Sequence, residues 1–197
     1  MEDEQNVWLR RKAEDPGHVA WYVQRFRDLA TSGADLGGEA RLIDAMAPRQ
    51  ARILDAGSGT GRVGAFLHAA GHQVVGVDLD PELVAVAEQD HPGPTWLVGD
   101  LAELDLAERG FDVVFCAGNV ITFVAPSTRV EVLRRLGAHV SESGRVVIGF
   151  GAGRGYAFDE FLADAATAGL RQEVLLSTWD LRPFTPDSEF LVAVFGA

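Results

Sequence analysis

Three glycines at alternate positions, Gly57, Gly59 and Gly61, follow a short apolar run that begins at Arg52. The run has the length of a buried strand, and residues 62–70 carry apolar side chains at helical spacing. A strand, a glycine turn and a helix bring backbone N–H groups up to a ligand, because glycine has no Cβ to hold the ligand away. The sequence therefore predicts a ligand site at this turn.

Strand and helix patterns alternate along the chain. The predicted strands are 52–56, 73–78, 95–98, 111–117, 145–150, 172–179 and 189–195. The predicted helices are 18–30, 39–47, 62–70, 81–89, 101–107, 127–140 and 158–168, whereas residues 1–15 look weakly ordered. No helix separates the last two strands, so they should pair as a hairpin. We predict an α/β, Rossmann-like, doubly wound, mostly parallel seven-stranded sheet that ends in an antiparallel β-hairpin, with helices on both faces.

The amino-acid composition limits the kinds of molecule that the protein is expected to bind. The formal net charge is −12, which disfavours nucleic acid and slightly favours neutral or cationic small molecules. No apolar run is long enough for a membrane span, so no membrane is expected. Cys116 is the single cysteine, which fits a reducing, cytoplasmic setting. We predict no metal, because His68, His72, His91 and His139 show no metal-ligand spacing with Cys116 or with each other.

Polar residues follow successive predicted strands. Asp55 precedes the glycine turn, Asp78 closes the second strand, Asp100 follows the third, and Gly118-Asn119 follows the fourth. Open α/β sheets bind ligands at this edge, where the strand order reverses. An acid after the second strand can accept hydrogen bonds from ribose hydroxyls, and one after the third from the amine of adenine. Some of these residues have a simpler alternative role. Asp78 and Asp100 could each cap the helix that follows, although Asp80 is better placed than Asp78 to do so. Asn119 could merely shape a turn.

Residues 41–197 resemble a class I S-adenosylmethionine-dependent methyltransferase, and LDAGSGTGR is close to the first motif of that family. The resemblance implies S-adenosyl-L-methionine as cofactor, S-adenosyl-L-homocysteine as product, and a methyl transfer by in-line displacement. It also implies which residues contact the cofactor. They are Asp55, Gly57, Ser58, Gly59 and Gly61 near the methionine, Asp78 and Leu79 near the ribose and adenine, Asp100 and Leu101 at the adenine edge, and Ala117, Gly118 and Asn119 beneath the methyl group.

Two other functions stay open. Gly59, Gly61 and Gly64 spell the G-x-G-x-x-G of nicotinamide-dependent Rossmann oxidoreductases, and Asp78 follows near the expected spacing. Against this, the turn begins at Gly57, and the carboxylate of Asp55 suits an ammonium group better than a pyrophosphate. The second alternative is a non-catalytic S-adenosylmethionine-binding protein, because no acceptor motif is present. The segment GNVITF, which follows the fourth strand, does not match the NPPY-type signature of enzymes that methylate amino groups of nucleic acids or glutamine.

The sequence says less about the site of the methyl acceptor than about the site of the cofactor. We predict that residues 1–40 form an N-terminal helical lid segment and that residues 41–197 form the S-adenosylmethionine-binding methyltransferase domain, as a monomer or homodimer acting on a small-molecule substrate. The catalytic residues are unknown from sequence alone. The candidates for residues that cover the methyl group are Tyr22, Asn119, Arg154, Trp179 and Arg182, followed by His18 and Tyr156.

Overall fold

A computed structural model describes residues 5–196. Its strands are β1 Arg52–Ala56, β2 Gln73–Asp78, β3 Thr95–Val98, β4 Phe111–Cys116, β5 Val140–Gly151, β6 Arg171–Leu176 and β7 Phe190–Gly196. Its α-helices are α1 Val7–Glu14, α2 His18–Thr31, α3 Gly38–Met46, α4 Arg62–Ala69, α5 Pro81–Asp90, α6 Arg129–His139 and α7 Phe158–Thr167. Short 3₁₀ helices lie at Leu101–Glu103, Val120–Thr122 and Pro126–Thr128.

Within residues 5–196, seven strands form one sheet in the order β3-β2-β1-β4-β5-β7-β6. The pairs among β1 to β5 are parallel, and β7 is antiparallel to both β5 and β6. The predicted seven-stranded, mostly parallel α/β sheet with a closing antiparallel hairpin is confirmed. The order reverses between β1 and β4, so a crevice forms at the carboxyl ends of these two strands.

Helices cover both faces of the sheet. Successive β1 side chains point to opposite faces, so Leu54 packs with Leu133 of α6 on one side, where α7 also lies. On the other side Ile53 packs with Ile43 of α3 and Leu67 of α4. Because both faces are buried, β1 and its neighbour β4 are apolar throughout most of their length.

The N-terminal helices pack on α5. Trp8 of α1 and Val19 and Val23 of α2 form a small core with Leu83 of α5. The expectation of weak order for residues 1–15 is wrong over Val7–Glu14, which forms α1; residues 1–4 lie outside the described part. The contacts that order α1 come from residues far along the chain, so local composition carried no sign of them.

Several element boundaries also differ from the sequence prediction, and β6, predicted at 172–179, ends at Leu176. The helix predicted at 101–107 is a single 3₁₀ turn, Leu101–Glu103. α6 begins only at Arg129, after another 3₁₀ turn. β5 begins at Val140 rather than at residue 145, because its first residue pairs with Phe111 across a register shift in β4. Such irregular pairing leaves no periodic signal in the sequence.

Candidate functional site

The glycine turn after β1 folds back onto the end of β2. The N–H groups of Gly57 and Ser58 donate to the carbonyl oxygen of Val77 at 2.8 and 3.1 Å. Gly57 has a φ of 86°, and a Cβ there would lie 2.4 Å from Cγ1 of Val120. Glycine is the residue that tolerates both conditions. The turn therefore packs tightly against the residues that follow β4.

A cavity of about 900 Å³, counted with the solvent at its mouth, lies over this turn. Ten of the twelve residues expected to contact a cofactor line it: Asp55, Gly57, Ser58, Gly59, Asp78, Leu79, Asp100, Leu101, Ala117 and Gly118. They come from the ends of four different strands. The sheet edge identified from the sequence is thus the edge on which the cavity lies.

Gly61 and Asn119 do not line the cavity. Gly61 supports the turn from behind, since a Cβ there would lie 2.8 Å from Trp96 and 2.9 Å from Cβ of Ala87. Asn119 has a φ of 68°, and its Oδ1 accepts a hydrogen bond of 2.8 Å from the N–H of Gly151. Its side chain joins the loop after β4 to the end of β5, which is the simpler role considered for it.

Gly61→Ala is expected to destabilise the fold by about 1–3 kcal/mol, because the added methyl group must displace Trp96 while the backbone stays left-handed. Gly71→Ala is the matched control: Gly71 has a φ of 100° but no atom within 4 Å of its ideal Cβ. Urea unfolding of both variants measures the difference. Equal losses in the two variants would contradict the packing role of Gly61.

Asp78 organises the turn through two backbone hydrogen bonds. Its Oδ2 accepts from Gly59 N–H at 2.8 Å and its Oδ1 from Asp80 N–H at 2.9 Å. The helix-capping alternative belongs to Asp80, whose Oδ1 accepts from the N–H of Glu82. Each carboxylate oxygen of Asp78 keeps a further lone pair. The side chain can therefore accept hydrogen bonds from two neighbouring hydroxyl groups of a ligand.

Asp55 is a buried carboxylate with an unused acceptor. It is 3% exposed, and its Oδ2 has no hydrogen-bond partner among residues 5–196. Burial, and secondarily the negative charge of Asp78, raise the pKa of Asp55 to about 8, while Arg62 opposes the rise. The hydroxyl of Ser58 is likewise buried and unpartnered within the described residues. A ligand that donates hydrogen bonds and carries a positive charge fits both atoms.

This pKa gives the unliganded protein a specific pH dependence. Since the folded pKa of Asp55 is about 8 and the unfolded one is about 4, the stabilising contribution is complete below about pH 4 and is lost as the pH rises to about 8. As the pH rises from 5 to 8, the free energy of unfolding of the wild type should therefore fall. That of Asp55→Asn should fall less, because asparagine does not ionise. Thermal unfolding across this range measures it. A parallel pH slope in both proteins would contradict the raised pKa.

Asp100 combines the two roles considered for it. Its Oδ1 accepts from the N–H of Ala102 at 2.8 Å and so caps the 3₁₀ helix at Leu101–Glu103. The residue also lines the cavity beside Leu101. The capping bond engages one carboxylate oxygen, so the second stays available to an amine donor in the cavity.

An aromatic roof covers the cavity. The rings of Trp8 and Tyr22 meet edge to face at 5.3 Å, and those of Tyr22 and Phe26 at 5.0 Å. Sequence reasoning missed most residues of this roof and rim, namely Asn6, Trp8, Phe26, Thr60, Arg62, Val63, Leu83, Val120, Phe123 and Val124. The spacing of Tyr22 and Phe26 by four residues on α2 was the one signal that could have found part of it.

Asp80 ties the roof to the start of α5. The indole N–H of Trp8 donates to its Oδ2 at 2.8 Å, and Lys12 Nζ lies 2.8 Å from its Oδ1 and 2.9 Å from Glu82. Burial alone would raise the pKa of Asp80, but the hydrogen bonds from Lys12 and Trp8 lower it overall. An ionised, fully buried Asp80 therefore anchors α1 to the start of α5.

Of the catalytic candidates, Tyr22 lines this cavity and Arg154 lines a second one. Burial raises the pKa of Tyr22 to about 12, so its hydroxyl stays protonated and is a donor rather than a base. Trp179 packs against Gly149 and Phe190, because the segment after β6 folds onto β5 and β7.

The remaining catalytic candidates also lie away from the first cavity. Arg182 is exposed and lies 3.7 Å from Asp180. Tyr156 is buried and donates to Asp164 at 2.6 Å, and His18 stacks on Trp21. None of these three lines the cavity.

The described part of the chain holds no group of three or more His, Cys, Asp or Glu side chains arranged to bind a metal ion. It also contains no helix with the length and apolar character needed to cross a membrane. Cys116 is a buried free thiol in β4, and burial raises its pKa.

The strand order, the glycine turn and the acids at the carboxyl ends of β1 and β2 together define a nucleoside-binding protein of the methyltransferase type. The sequence profile of the "Methyltransferase domain" family matches residues 53–144. The crystal structure of a TehB-like SAM-dependent methyltransferase from Corynebacterium glutamicum is 51% identical, covers 92% of this chain and 99% of its own, and superimposes with a TM-score of 0.90. This protein belongs to the class I S-adenosylmethionine-dependent methyltransferases.

Curated relatives match over shorter stretches. A malonyl-[acyl-carrier protein] O-methyltransferase of Pectobacterium atrosepticum is 32% identical over 50% of this chain and 38% of its own length. A dTDP-3-amino-3,6-dideoxy-alpha-D-glucopyranose N,N-dimethyltransferase of Streptomyces fradiae is 30% identical over 62% of this chain and 47% of its own. The chain thus spans less than half the length of these two relatives.

Proposed function

We propose that this protein transfers a methyl group from S-adenosylmethionine to a small organic acceptor. The observation that carries the proposal is the pair of buried acids, Asp55 and Asp78, at one edge of the glycine turn. One offers an unpartnered oxygen suited to an ammonium group, and the other offers acceptors suited to two hydroxyls. S-adenosylmethionine carries an ammonium group at one end and ribose hydroxyls near the other.

The proposed contacts follow the cavity from end to end. Asp55 and Ser58 would hold the amino-acid end, Asp78 the ribose hydroxyls, and Asp100 with Leu101 the adenine edge. Leu79 would lie beside the adenine, and Ala117 and Gly118 beneath the reacting methyl group. For Gly61 and Asn119 we propose support of the site without contact, because neither lines the cavity.

Bound S-adenosylmethionine supplies an activated methyl group on a sulfonium. The chain then has to align the acceptor and exclude water. Trp8, Tyr22 and Phe26 would exclude water from above. No His or Lys lines the cavity within residues 5–196, the aspartates that line it are those proposed to hold the cofactor, and the hydroxyl of Tyr22 stays protonated. We therefore propose an acceptor that is already nucleophilic at neutral pH and needs no general base.

The N-terminal helices are the proposed lid. α1 and α2 contact the rest of the chain through a small core of their own and through Asp80. α3 spans the boundary predicted at residue 40, and its Ala40 and Ile43 belong to the core of the sheet. The segment that opens would therefore end before Gly38. A cytoplasmic setting stays a prediction from the single cysteine.

Calorimetric titration with S-adenosylmethionine, S-adenosylhomocysteine and NADH tests the cofactor. We expect micromolar binding of the first two and none of NADH. Binding of NADH alone would overturn the proposal and would assign Gly59, Gly61 and Gly64 to a dinucleotide. Transfer itself is tested by turnover of methyl-labelled cofactor with a mixture of metabolites. Binding without any turnover would favour a non-catalytic binding protein.

A further inference from the structure

A second cavity opens beside the first. The start of α1 separates the two: Asn6 and Trp8 line the first cavity, and Gln5 and Val7 line the second. The N–H of Val7 donates to the carbonyl oxygen of Phe123 at 2.8 Å, which closes this wall. Phe123 and Val124 line both cavities. A molecule in the second cavity is thus one layer of residues away from the cofactor site.

The second cavity is lined by cationic side chains. Within residues 5–196 its lining contains no acidic residue and four arginines: Arg10, Arg11, Arg129 and Arg154. The chain as a whole carries a net charge of −12, so this local charge is opposite to that of the molecule. Arg129 is paired with Glu160 at 2.9 Å, so the positive charge that favours an anion in this concave surface comes chiefly from Arg11 and Arg154.

Arg129 is the buried member of this group. Its side chain is 7% exposed and lies 2.9 Å from Glu160, and Nη2 donates to the carbonyl oxygen of Gly155 at 2.6 Å. The guanidinium also stacks 3.8 Å from the ring centre of Tyr156. Its Nε is buried and has no hydrogen-bond partner within the described residues. The structure therefore fixes a guanidinium here with one donor unused.

Arg11 and Arg154 complete the cationic wall. Arg11 lies over the ring of Phe123 at 5.3 Å. Neither arginine has a carboxylate within 4.0 Å among residues 5–196. Arg154 lies near Gly151, where an ideal Cβ would be 3.1 Å from its Nε. The N–H of Gly151 donates a hydrogen bond to Asn119. Arg154 is therefore next to the loop after β4, which we propose lies beneath the methyl group.

We propose that this cavity binds an anionic group, a carboxylate or a phosphate, of the methyl acceptor. Guanidinium groups bind such anions through paired N–H donors, which makes arginine the side chain suited to this task. The inference rests on the proposed function and adds the chemical class of the acceptor to it. It differs from the expectation based on net charge, which favoured neutral or cationic acceptors.

The test uses the full chain saturated with S-adenosylhomocysteine, so that the first cavity is filled. Benzoate, its neutral analogue benzamide, and inorganic phosphate are titrated separately at one low, constant ionic strength, and binding is followed by NMR or calorimetry. The variants are Arg11→Gln and Arg154→Gln. Arg49→Gln is the matched control, because Arg49 is exposed and precedes β1 at the opposite edge of the sheet.

We expect benzoate or phosphate to bind and benzamide not to bind. Arg11→Gln and Arg154→Gln should each weaken anion binding by about tenfold, whereas Arg49→Gln should leave it unchanged. The anion that binds more tightly distinguishes a carboxylate from a phosphate. Equal binding of benzoate and benzamide, no binding of either anion, or equal effects of all three substitutions would overturn the inference. Failure of S-adenosylhomocysteine to bind the wild type would instead overturn the proposed function.

Discussion

Asp78→Ala is expected to weaken the binding of S-adenosylhomocysteine by about 10- to 100-fold, which corresponds to roughly 1–3 kcal/mol. The substitution removes the acceptor proposed for the ribose hydroxyls and leaves these hydroxyls buried without partners. It also removes the acceptor for the N–H groups of Gly59 and Asp80. The glycine turn would then lose one of the hydrogen bonds that fix its shape, so both effects act in the same direction. Calorimetry measures the dissociation constant.

Two further variants separate binding from folding. Asp78→Asn keeps the size of the side chain but turns one acceptor into a donor, so it should also weaken binding while the sheet stays folded. Asp187→Ala changes an exposed acid in the segment between β6 and β7 and should have no effect. An unchanged dissociation constant for Asp78→Ala, with native circular dichroism, would refute the role of Asp78.

Trp8→Ala should release the N-terminal helices while the sheet stays intact. Truncating a buried tryptophan costs about 3–5 kcal/mol if the surroundings keep their positions. α1 and α2 are attached mainly through their own small core and Asp80, so undocking is less costly than global unfolding. We expect faster hydrogen exchange over residues 7–31, unchanged exchange in β1 and β4, and dissociation of S-adenosylhomocysteine that is at least several-fold faster. Exchange mass spectrometry and stopped-flow measurements check these three results.

Trp8→Phe is the matched control for this variant. Phenylalanine keeps an aromatic ring against Tyr22 but cannot donate to Asp80, so its effect reports the hydrogen bond alone. We expect an intermediate exchange rate. Uniformly faster exchange across the sheet in Trp8→Ala would show that the N-terminal helices are part of one cooperative unit, and it would contradict a separable lid.

The sheet could be predicted from sequence because its signals are local. The bounds predicted for β1, β2 and β3 match the structure, and Asp80 and Pro81 begin α5 as expected. Buried parallel strands can be recognised as short apolar runs in the sequence. Helix starts can be recognised because only a few residue types have side chains that accept hydrogen bonds from the first N–H groups of a helix. The ends of β1 and β2 then positioned Asp55 and Asp78 at one edge, so most of the candidate cofactor site followed from the order of the strands.

The roof could not be predicted in the same way. Trp8 is ordered by Asp80, which lies 72 positions further along the chain, and no pattern near Trp8 encodes that contact. The assignments of Trp179 and Arg182 to the roof rested only on their position after β6. The chain there bends back over β5 and β7, where Gly149 leaves room for the indole ring. Long-range packing of single side chains thus decided which loop residues reached the cavity.

The position of β7 has a consequence for the protein as it is made. β7 lies between β5 and β6 and pairs with both, although it is the last of these seven strands along the chain. While the ribosome still holds residues 190–196, β5 has an unpaired edge and β6 has no neighbour to join. The nascent chain can build the cofactor half of the sheet, from β1 to β4, well before it can close the other half. Chaperone protection during translation should therefore be needed most at the exposed edge of β5.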